Sequence, residues 1–224
     1  MTLHVPALLG SDALAFVDRV LAEARWTDGG RTAGAAARGT KRNLELDPAT
    51  HGARELQELV HGALAAHPLI ADHVLPLRFS RPIVARYEPG MEYGLHVDNP
   101  LLGGAAGMMR TDVSVTVFLS DPADYDGGEL VLAEGAAEHR AKLARGDAFA
   151  YATGTPHRVA PVTRGARIVA VCWIQSVIPD AGQRAIASAL HRVHHALVAE
   201  APNTPTTELF LEGYYNLMRL WARP

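Results

Sequence analysis

The chain has 224 residues, 48% hydrophobic and 20% charged, an ordinary globular composition able to bury a core. Its 21 basic and 24 acidic residues leave a net charge of −3 with no basic stripe, which argues against nucleic acid as a partner. No apolar run is long enough to span a membrane, the first ten residues carry no cationic leader, and the single cysteine, Cys172, rules out an intrachain disulfide, so the expected location is the cytoplasm.

In chain order, residues 5–9 read as a first strand. Ser11-Asp12 offers a helix cap, followed by Leu14, Val17 and Leu21 at helical spacing. Residues 27–43 are rich in Gly, Ala and polar side chains and read as a long loop. Within it, residues 28–41 form a candidate flap whose Arg31, Arg38 and Lys41 can meet an acidic substrate. Ala53, Leu56, Val60 and Leu64 mark a second helix.

From Leu77 the period changes to that of strands. Leu77, Phe79, Ile83, Val84 and Tyr87 read as β, broken by Pro82. Val113, Val115, Val117 and Leu119 alternate strictly with Ser114, Thr116 and Phe118. Further strands are expected at 129–133, 148–151 and 166–176, separated by Asp126-Gly127-Gly128, Gly146-Asp147 and Thr163-Arg164-Gly165. Many short strands with Gly and Pro turns predict a sandwich or jelly roll. After Pro179-Asp180 helix returns, with one stripe at Ile186, Leu190, Val193 and Leu197 and a second at Phe210, Tyr214, Leu217 and Trp221, capped by Thr206 or Thr207. The predicted class is α+β with a mainly β core: an N-terminal support over 1–76, a β-core over 77–177, and a C-terminal helical segment over 178–224. Those last stripes must be buried on the barrel or in a homo-oligomer.

The chemistry concentrates in the β-core. His96 and Asp98 are two apart, so on a strand they point the same way. His157, 59 residues beyond Asp98, can join them from a neighbouring strand. Two imidazoles and one carboxylate on one face of an ion leave the opposite face open, the arrangement of non-haem Fe(II) oxygenases. Arg167 begins the apolar run 168–174, so it is expected to be buried and to need an anion. Asp147 or Glu129 is one such partner; the distal carboxylate of 2-oxoglutarate is the other, held by a bidentate guanidinium fork. Ser114 and Thr116 either bond the co-substrate or face solvent, and Tyr87 either lines the pocket or belongs to the core. His191 and His195, an i,i+4 pair, read as a solvated helix face, since no acidic or cysteine ligand accompanies them in sequence. His139, Arg140 and Lys142 read as surface charge, and Cys172 as an inert core thiol.

The run from Tyr87 through Gly90, Tyr93 and His96 to Asp98 resembles the Y-x-x-G-x-x-(Y/F)-x-x-H-x-D signature of prolyl-hydroxylase-like 2-oxoglutarate dioxygenases. Residues 110–114, 118–122, 125–130, 161–167 and 173–176, with flanking segments 26–34 and 214–224, are similar to the bacterial PKHD-type hydroxylases. The resemblance implies a double-stranded β-helix (jelly roll), Fe(II), 2-oxoglutarate as co-substrate and an ascorbate requirement. It maps the metal ligands onto His96, Asp98 and His157 and the 2-oxoglutarate clamp onto Arg167. It also implies hydroxylation of an unactivated C–H bond of an unidentified substrate, small molecule or protein side chain, in an iron-uptake setting. Gly154-Thr155-Pro156 stands where Ser-Ser-Leu-like residues are commoner in the family, and the loop 101–109 reads as variable. Two other readings of the same residues remain: a zinc-dependent hydrolase on a cupin-like barrel, which leaves Arg167 without a purpose, and a non-catalytic 2-oxoglutarate or iron sensor.

Overall fold

The protein is described here by a computed structural model covering residues 2–32, 39–104 and 107–223. The chain runs β1 (Thr2–Val5), α1 (Ser11–Ala22), β2 (Trp26–Asp28), a 3-10 turn (Gly29–Thr32), β3 (Lys41–Arg42), β4 (Leu44–Leu46), α2 (Ala53–Ala66) and α3 (Pro68–Val74). The central strands follow: β5 (Pro76–Phe79), β6 (Ile83–Tyr87), β7 (Glu92–His96), β8 (Leu101–Gly104), β9 (Gly107–Arg110), β10 (Val113–Phe118) and β11 (Asp126–Gly127). Then come β12 (Leu130–Glu134), β13 (Ala137–Ala141), β14 (Ala148–Ala152), β15 (His157–Val159), β16 (Val162–Arg164) and β17 (Arg167–Ser176). Two helices close the chain, α4 (Ala181–Glu200) and α5 (Pro205–Trp221). None of the described helices is long and apolar enough to cross a membrane.

Two antiparallel sheets make the jelly roll. The larger has strand order β1-β14-β10-β17-β6-β4-β2, with β5 also pairing with β17; the smaller has order β13-β12-β15-β7-β3. Strand parity explains how one sequence serves two cores. On β10 the outer residues Val113, Val115 and Val117 join Val84, Ala148, Ala150, Ala170, Cys172 and Ile174 in a cluster against α1 and α2. There Leu56, Val60 and Leu64 of α2 are fully buried, each stabilising the fold by about 1.5–3 kcal/mol. The inner residues Ala85, Tyr87, Phe118, Phe149, Tyr151 and Val169 form a second cluster with Leu130, Leu132 and Val159 of the smaller sheet. Every residue of β10 is therefore buried, and the solvent-facing reading of Ser114 and Thr116 is overturned: that face of the strand lies between the sheets.

Several local expectations shift. α1 is preceded by Gly10 without a side-chain cap, so Ser11 opens the helix instead of capping it, and α5 is capped by Thr204, whose Oγ1 accepts from Thr207 N at 3.2 Å. The stretch 27–43 is not one loop: β2 and β4 extend the larger sheet, and Lys41 pairs with Tyr93 at the edge of the smaller one. Arg38 lies outside the described residues. Gly165, at φ +68, makes the turn into β17; a Cβ there would stand 1.9 Å from the Asp124 carbonyl oxygen, which no other residue escapes.

The C-terminal helices depart most. The α5 stripe is right: Tyr214 is buried and Leu217 and Trp221 pack with Met218 against Leu75, Ile178 and Ala187. The α4 stripe is not. Ile186 and Val193 are exposed, and α4 buries Arg184, Ala187 and Ser188 instead. Arg184 faces inward because its guanidinium donates to the carbonyls of Ile178 (2.8 Å) and Pro179 (3.1 Å), closing the turn that leads into the helix.

Candidate functional site

His96 ends β7 and His157 opens β15, and the two are cross-strand partners in the smaller sheet. Their ring centroids are 4.3 Å apart. Asp98 follows two residues after His96, placing its Oδ1 3.5 Å from His96 Nε2 and 3.8 Å from His157 Nε2. The ligand atoms of these three side chains all lie within 4.8 Å of one another.

Each donor is aimed by a second bond. His96 Nδ1 lies 2.8 Å from the Gly94 carbonyl and His157 Nδ1 2.9 Å from the Thr155 carbonyl. A carbonyl only accepts, so each Nδ1 carries its proton and each Nε2 presents a lone pair. Thr155, in the segment that departs from the family pattern, thus serves through its backbone. Asp98 Oδ2 accepts from Ser114 Oγ and from Trp173 Nε1, both at 2.8 Å, leaving Oδ1 for the centre of the cluster. Ser114 also pairs with Thr153 Oγ1 at 3.0 Å. Partners of this kind fix ligand orientation in metal sites.

Electrostatics favour the ligand-competent forms. Burial works to raise the Asp98 carboxyl, but His96, the His157 ring and the bonds from Trp173 and Ser114 outweigh it and hold the group below its ordinary value. Burial lowers His157, with Asp98 opposing and His96 adding to the fall, so its imidazole stays neutral near pH 7. Tyr93 stacks on His96 at 3.6 Å between centroids, and Tyr151 meets His157 edge-on at 5.1 Å. Burial raises the phenols of Tyr93 and Tyr151, and pushes Tyr87 up to about 12, so all three remain neutral hydrogen-bond donors.

The triad lies at one side of a cavity of about 130 Å³ that Tyr87, Thr116, Arg167 and Trp173 also line. Arg167 is 2% exposed. Its guanidinium carbon sits 5.2 Å from the Tyr87 ring centre and 5.9 Å from that of Phe118, contacts that hold a cation without neutralising it. Among the described residues no carboxylate forms an ion pair with it. Asp147 is instead engaged by His4 at 2.7 Å and by the Ala7 amide at 2.8 Å, and Glu129 does not bridge to Arg167. Arg167 Nε is buried without a hydrogen-bond partner, and the buried Tyr125 hydroxyl is the guanidinium's polar neighbour. Behind the guanidinium stem, Gly128 at φ +67 leaves room that a Cβ would take, 3.0 Å from Arg167 Cδ.

The mouth of the cavity is partly apolar. Val97, between the two ligands, lines it and is 50% exposed, whereas Leu95, 62% exposed, lies on the face of β7 opposite His96. The expected variable loop is the β8–β9 hairpin, whose Leu102 lines the cavity while Leu101 and Met108 are exposed. Lys41 also lines the cavity, bridged to Glu45 at 2.6 Å, which differs from an unengaged flap cation. Lys142 is more than surface charge: it donates to the Tyr125 carbonyl at 2.7 Å and lies over that ring. Cys172 is fully buried, and burial raises its thiol to about 11, so it is inert. Tyr93 and Trp173 enter the sequence reading only as parts of family-like segments, and Tyr151 only as a strand residue, none with a role at the site. Trp173 had a signal, since it shares the inner parity of β17 with Arg167.

Comparison with known proteins now decides the family. Residues 82–175 match the 2OG-Fe(II) oxygenase superfamily. A PKHD-type hydroxylase of Thioalkalivibrio sulfidiphilus is 44% identical over 222 residues, covering 99% of each chain. Another, from Hyphomonas neptunium, is 41% identical over 227 residues, again covering 99% of each. The chain belongs to the PKHD-type hydroxylases. HygX from Streptomyces hygroscopicus, solved with nickel and 2-oxoglutarate bound, shares the fold with a TM-score of 0.55 at 16% identity, over 78% of this chain and 82% of its own. As a member of this family the protein is an Fe(II)- and 2-oxoglutarate-dependent hydroxylase.

Proposed function

We propose that His96, Asp98 and His157 hold the Fe(II) ion, that Arg167 clamps the distal carboxylate of 2-oxoglutarate, and that the enzyme hydroxylates an unactivated C–H bond. The observation that carries this reading is the pairing, in one cavity, of a preformed two-imidazole, one-carboxylate donor set with a buried guanidinium that lacks a protein anion. The donor set suits the metal: neutral Nε2 lone pairs and one ionised carboxylate oxygen are what a facial Fe(II) site requires. When bound, iron and 2-oxoglutarate supply the oxidative chemistry, converting dioxygen and 2-oxoglutarate to succinate and carbon dioxide as substrate C–H becomes C–OH.

The chain's own contribution is geometric and electrostatic. Trp173 and Ser114 keep the Asp98 carboxylate oriented and ionised. Ser114 thereby acts through Asp98 instead of on the co-substrate. Gly94 and Thr155 carbonyls fix both imidazole tautomers. Tyr87 packs against the guanidinium and keeps it dry. Val97 and Leu102 of the β8–β9 hairpin give substrate an apolar approach. An ascorbate requirement and an iron-uptake setting enter this reading on the family resemblance alone. A cytoplasmic setting fits the single buried Cys172.

The test is succinate formation from 2-oxoglutarate under oxygen, with and without added Fe(II). The intact protein should produce succinate only with iron, and His96→Ala should produce none while keeping the circular dichroism of the parent. Full succinate production by that variant refutes the ligand assignment.

A further inference from the structure

A second cluster of metal-ligating side chains lies on the C-terminal helices, outside the cavity. His191, His194 and His195 sit on α4 at spacings that bring i,i+3 and i,i+4 residues onto one face. The sequence shows no acidic ligand near them, but the fold supplies one. α3 packs against α4 and carries Asp72, whose Oδ1 lies 3.8 Å from His191 Nε2 and 3.7 Å from His195 Nδ1. These separations exceed a hydrogen bond, so Asp72 is not bonded to either imidazole. They match the oxygenase triad, where one carboxylate oxygen stands 3.5 Å and 3.8 Å from its two imidazole nitrogens. The rings agree as well: His191 and His195 are 4.3 Å apart at 55°, His96 and His157 4.3 Å apart at 52°.

Two further observations point to a ligand. His191 Nδ1 pairs with Tyr214 Oη at 2.8 Å, which leaves Nε2 directed at Asp72, the outer-shell arrangement of metal-bound histidines. His194 Nδ1 is buried without a hydrogen-bond partner, and the ligand atoms of all three histidines lie within 4.8 Å of one another. We propose that Asp72, His191 and His195, with His194 as a further ligand, form a second metal site, taking a divalent transition-metal cation of the Zn(II), Ni(II) or Cu(II) class. Imidazole-rich donors select these ions over Mg(II) and Ca(II), which prefer oxygen. Bonds of about 2.0–2.2 Å place tetrahedral donors roughly 3.3–3.6 Å apart, so Asp72 Oδ1 already stands within a few tenths of an ångström of that spacing from both imidazoles, while the histidine nitrogens, within 4.8 Å of one another, close by side-chain rotation. The side chains of Asp72 and His195, 24% and 55% exposed, have the freedom to do so.

Metal here would tie α4 to α3. Leu75, just past α3, accepts at its carbonyl from Ser176 Oγ (3.1 Å) and Val177 N (2.9 Å) at the end of β17, so the ion would join the C-terminal segment to the barrel. The test uses the full chain, stripped of metal, in a His96→Ala, Asp98→Ala background that silences the oxygenase triad. Zn(II) is titrated calorimetrically and Co(II) by its visible absorption. One Zn(II) per chain should still bind and should raise the melting temperature. Adding His195→Gln or Asp72→Asn should each weaken binding at least about tenfold. His195 is exposed and Asp72 partly exposed, and melting of the metal-free variants verifies that the fold is kept. With the triad intact, the His195→Gln, Asp72→Asn double variant should keep one site where the parent has two. No Zn(II) binding in the triad-silenced protein, or binding that survives both added substitutions, overturns the proposal.

Discussion

Arg167→Leu separates a co-substrate clamp from a structural cation, because the two predict opposite outcomes. In the ligand-free protein the guanidinium is buried, its Nε has no partner, and no described carboxylate pairs with it. The orphaned donor costs about 1–3 kcal/mol. The Tyr87 and Phe118 faces return about 0.5–2 kcal/mol. Desolvation of the unpaired charge adds to the cost side, so replacing Arg167 with leucine should leave the ligand-free protein as stable as the parent or more stable by about 1–4 kcal/mol. Binding of 2-oxoglutarate is different. Losing one partner of a buried, hydrogen-bonded charge pair costs about 2–5 kcal/mol, so the dissociation constant should rise by roughly 30-fold to several thousandfold. The assay is calorimetric titration of 2-oxoglutarate into Mn(II)-loaded protein, where turnover does not interfere, alongside melts with and without the ligand. The parent should gain stability with 2-oxoglutarate, and the variant should gain none at the same concentration. An unchanged affinity in a folded variant would refute the clamp. So would a large loss of ligand-free stability accompanied by normal ligand-induced stabilisation, which would make Arg167 structural.

Trp173→Phe removes one of the two donors to Asp98 Oδ2 while preserving the ring, and should weaken Fe(II) binding about 10–100-fold with little effect on the fold, as read by metal titration. The ligand-free protein should also carry an acid-dependent term from Asp98. Its carboxyl is held below the ordinary aspartate value of 3.8, so the stabilisation is complete above that pH and is lost as pH falls through the folded value. Asp98→Asn should therefore flatten the acid limb of the melting temperature below about pH 4; an unaltered limb would show that Asp98 is not held low. Gly165→Ala should destabilise the protein by more than about 1 kcal/mol in urea unfolding, because φ is +68 and the new Cβ meets the Asp124 carbonyl.

Period was the reliable signal in this sequence, and it failed where polarity and burial part company. The strict alternation at 113–119 located β10, and the spacing of Ala53, Leu56, Val60 and Leu64 located α2, with all four residues buried. Alternation does not say what lies on the polar side. A serine and a threonine opposite three valines usually face water, but here a second sheet covers them, so their hydroxyls serve Asp98 and the cavity. The short strands β3, β8, β9 and β15 are two to four residues long and carry no period to detect. They exist because neighbouring strands satisfy their backbone groups, which is a tertiary cause.

The same distinction decides which chemistry was legible. His96 and Asp98 could be paired from strand parity because one strand end carries both. Arg167 announced itself by standing at the head of an apolar run, where a charge needs a purpose. Trp173 has the same parity as Arg167 but the bland appearance of a core aromatic, and only the position of Asp98 shows its indole N–H to be bonded. On α4 the apolar stripe at Ile186 and Val193 misdirected the reading. Hydrophobic spacing predicts the buried face when burial is apolar, yet this helix docks through Arg184, Ala187 and Ser188, with His191 and His194 half-buried beyond them. What selects that face is the set of partners waiting on other elements: the Ile178 and Pro179 carbonyls for Arg184, Tyr214 for His191, and Asp72 beside His191 and His195. None of these lies at a fixed sequence offset that a periodic pattern can register. A polar docking face therefore looks like a solvated one until the fold brings its partners together, and for this chain the histidines of α4 are where that ambiguity carries chemical consequence.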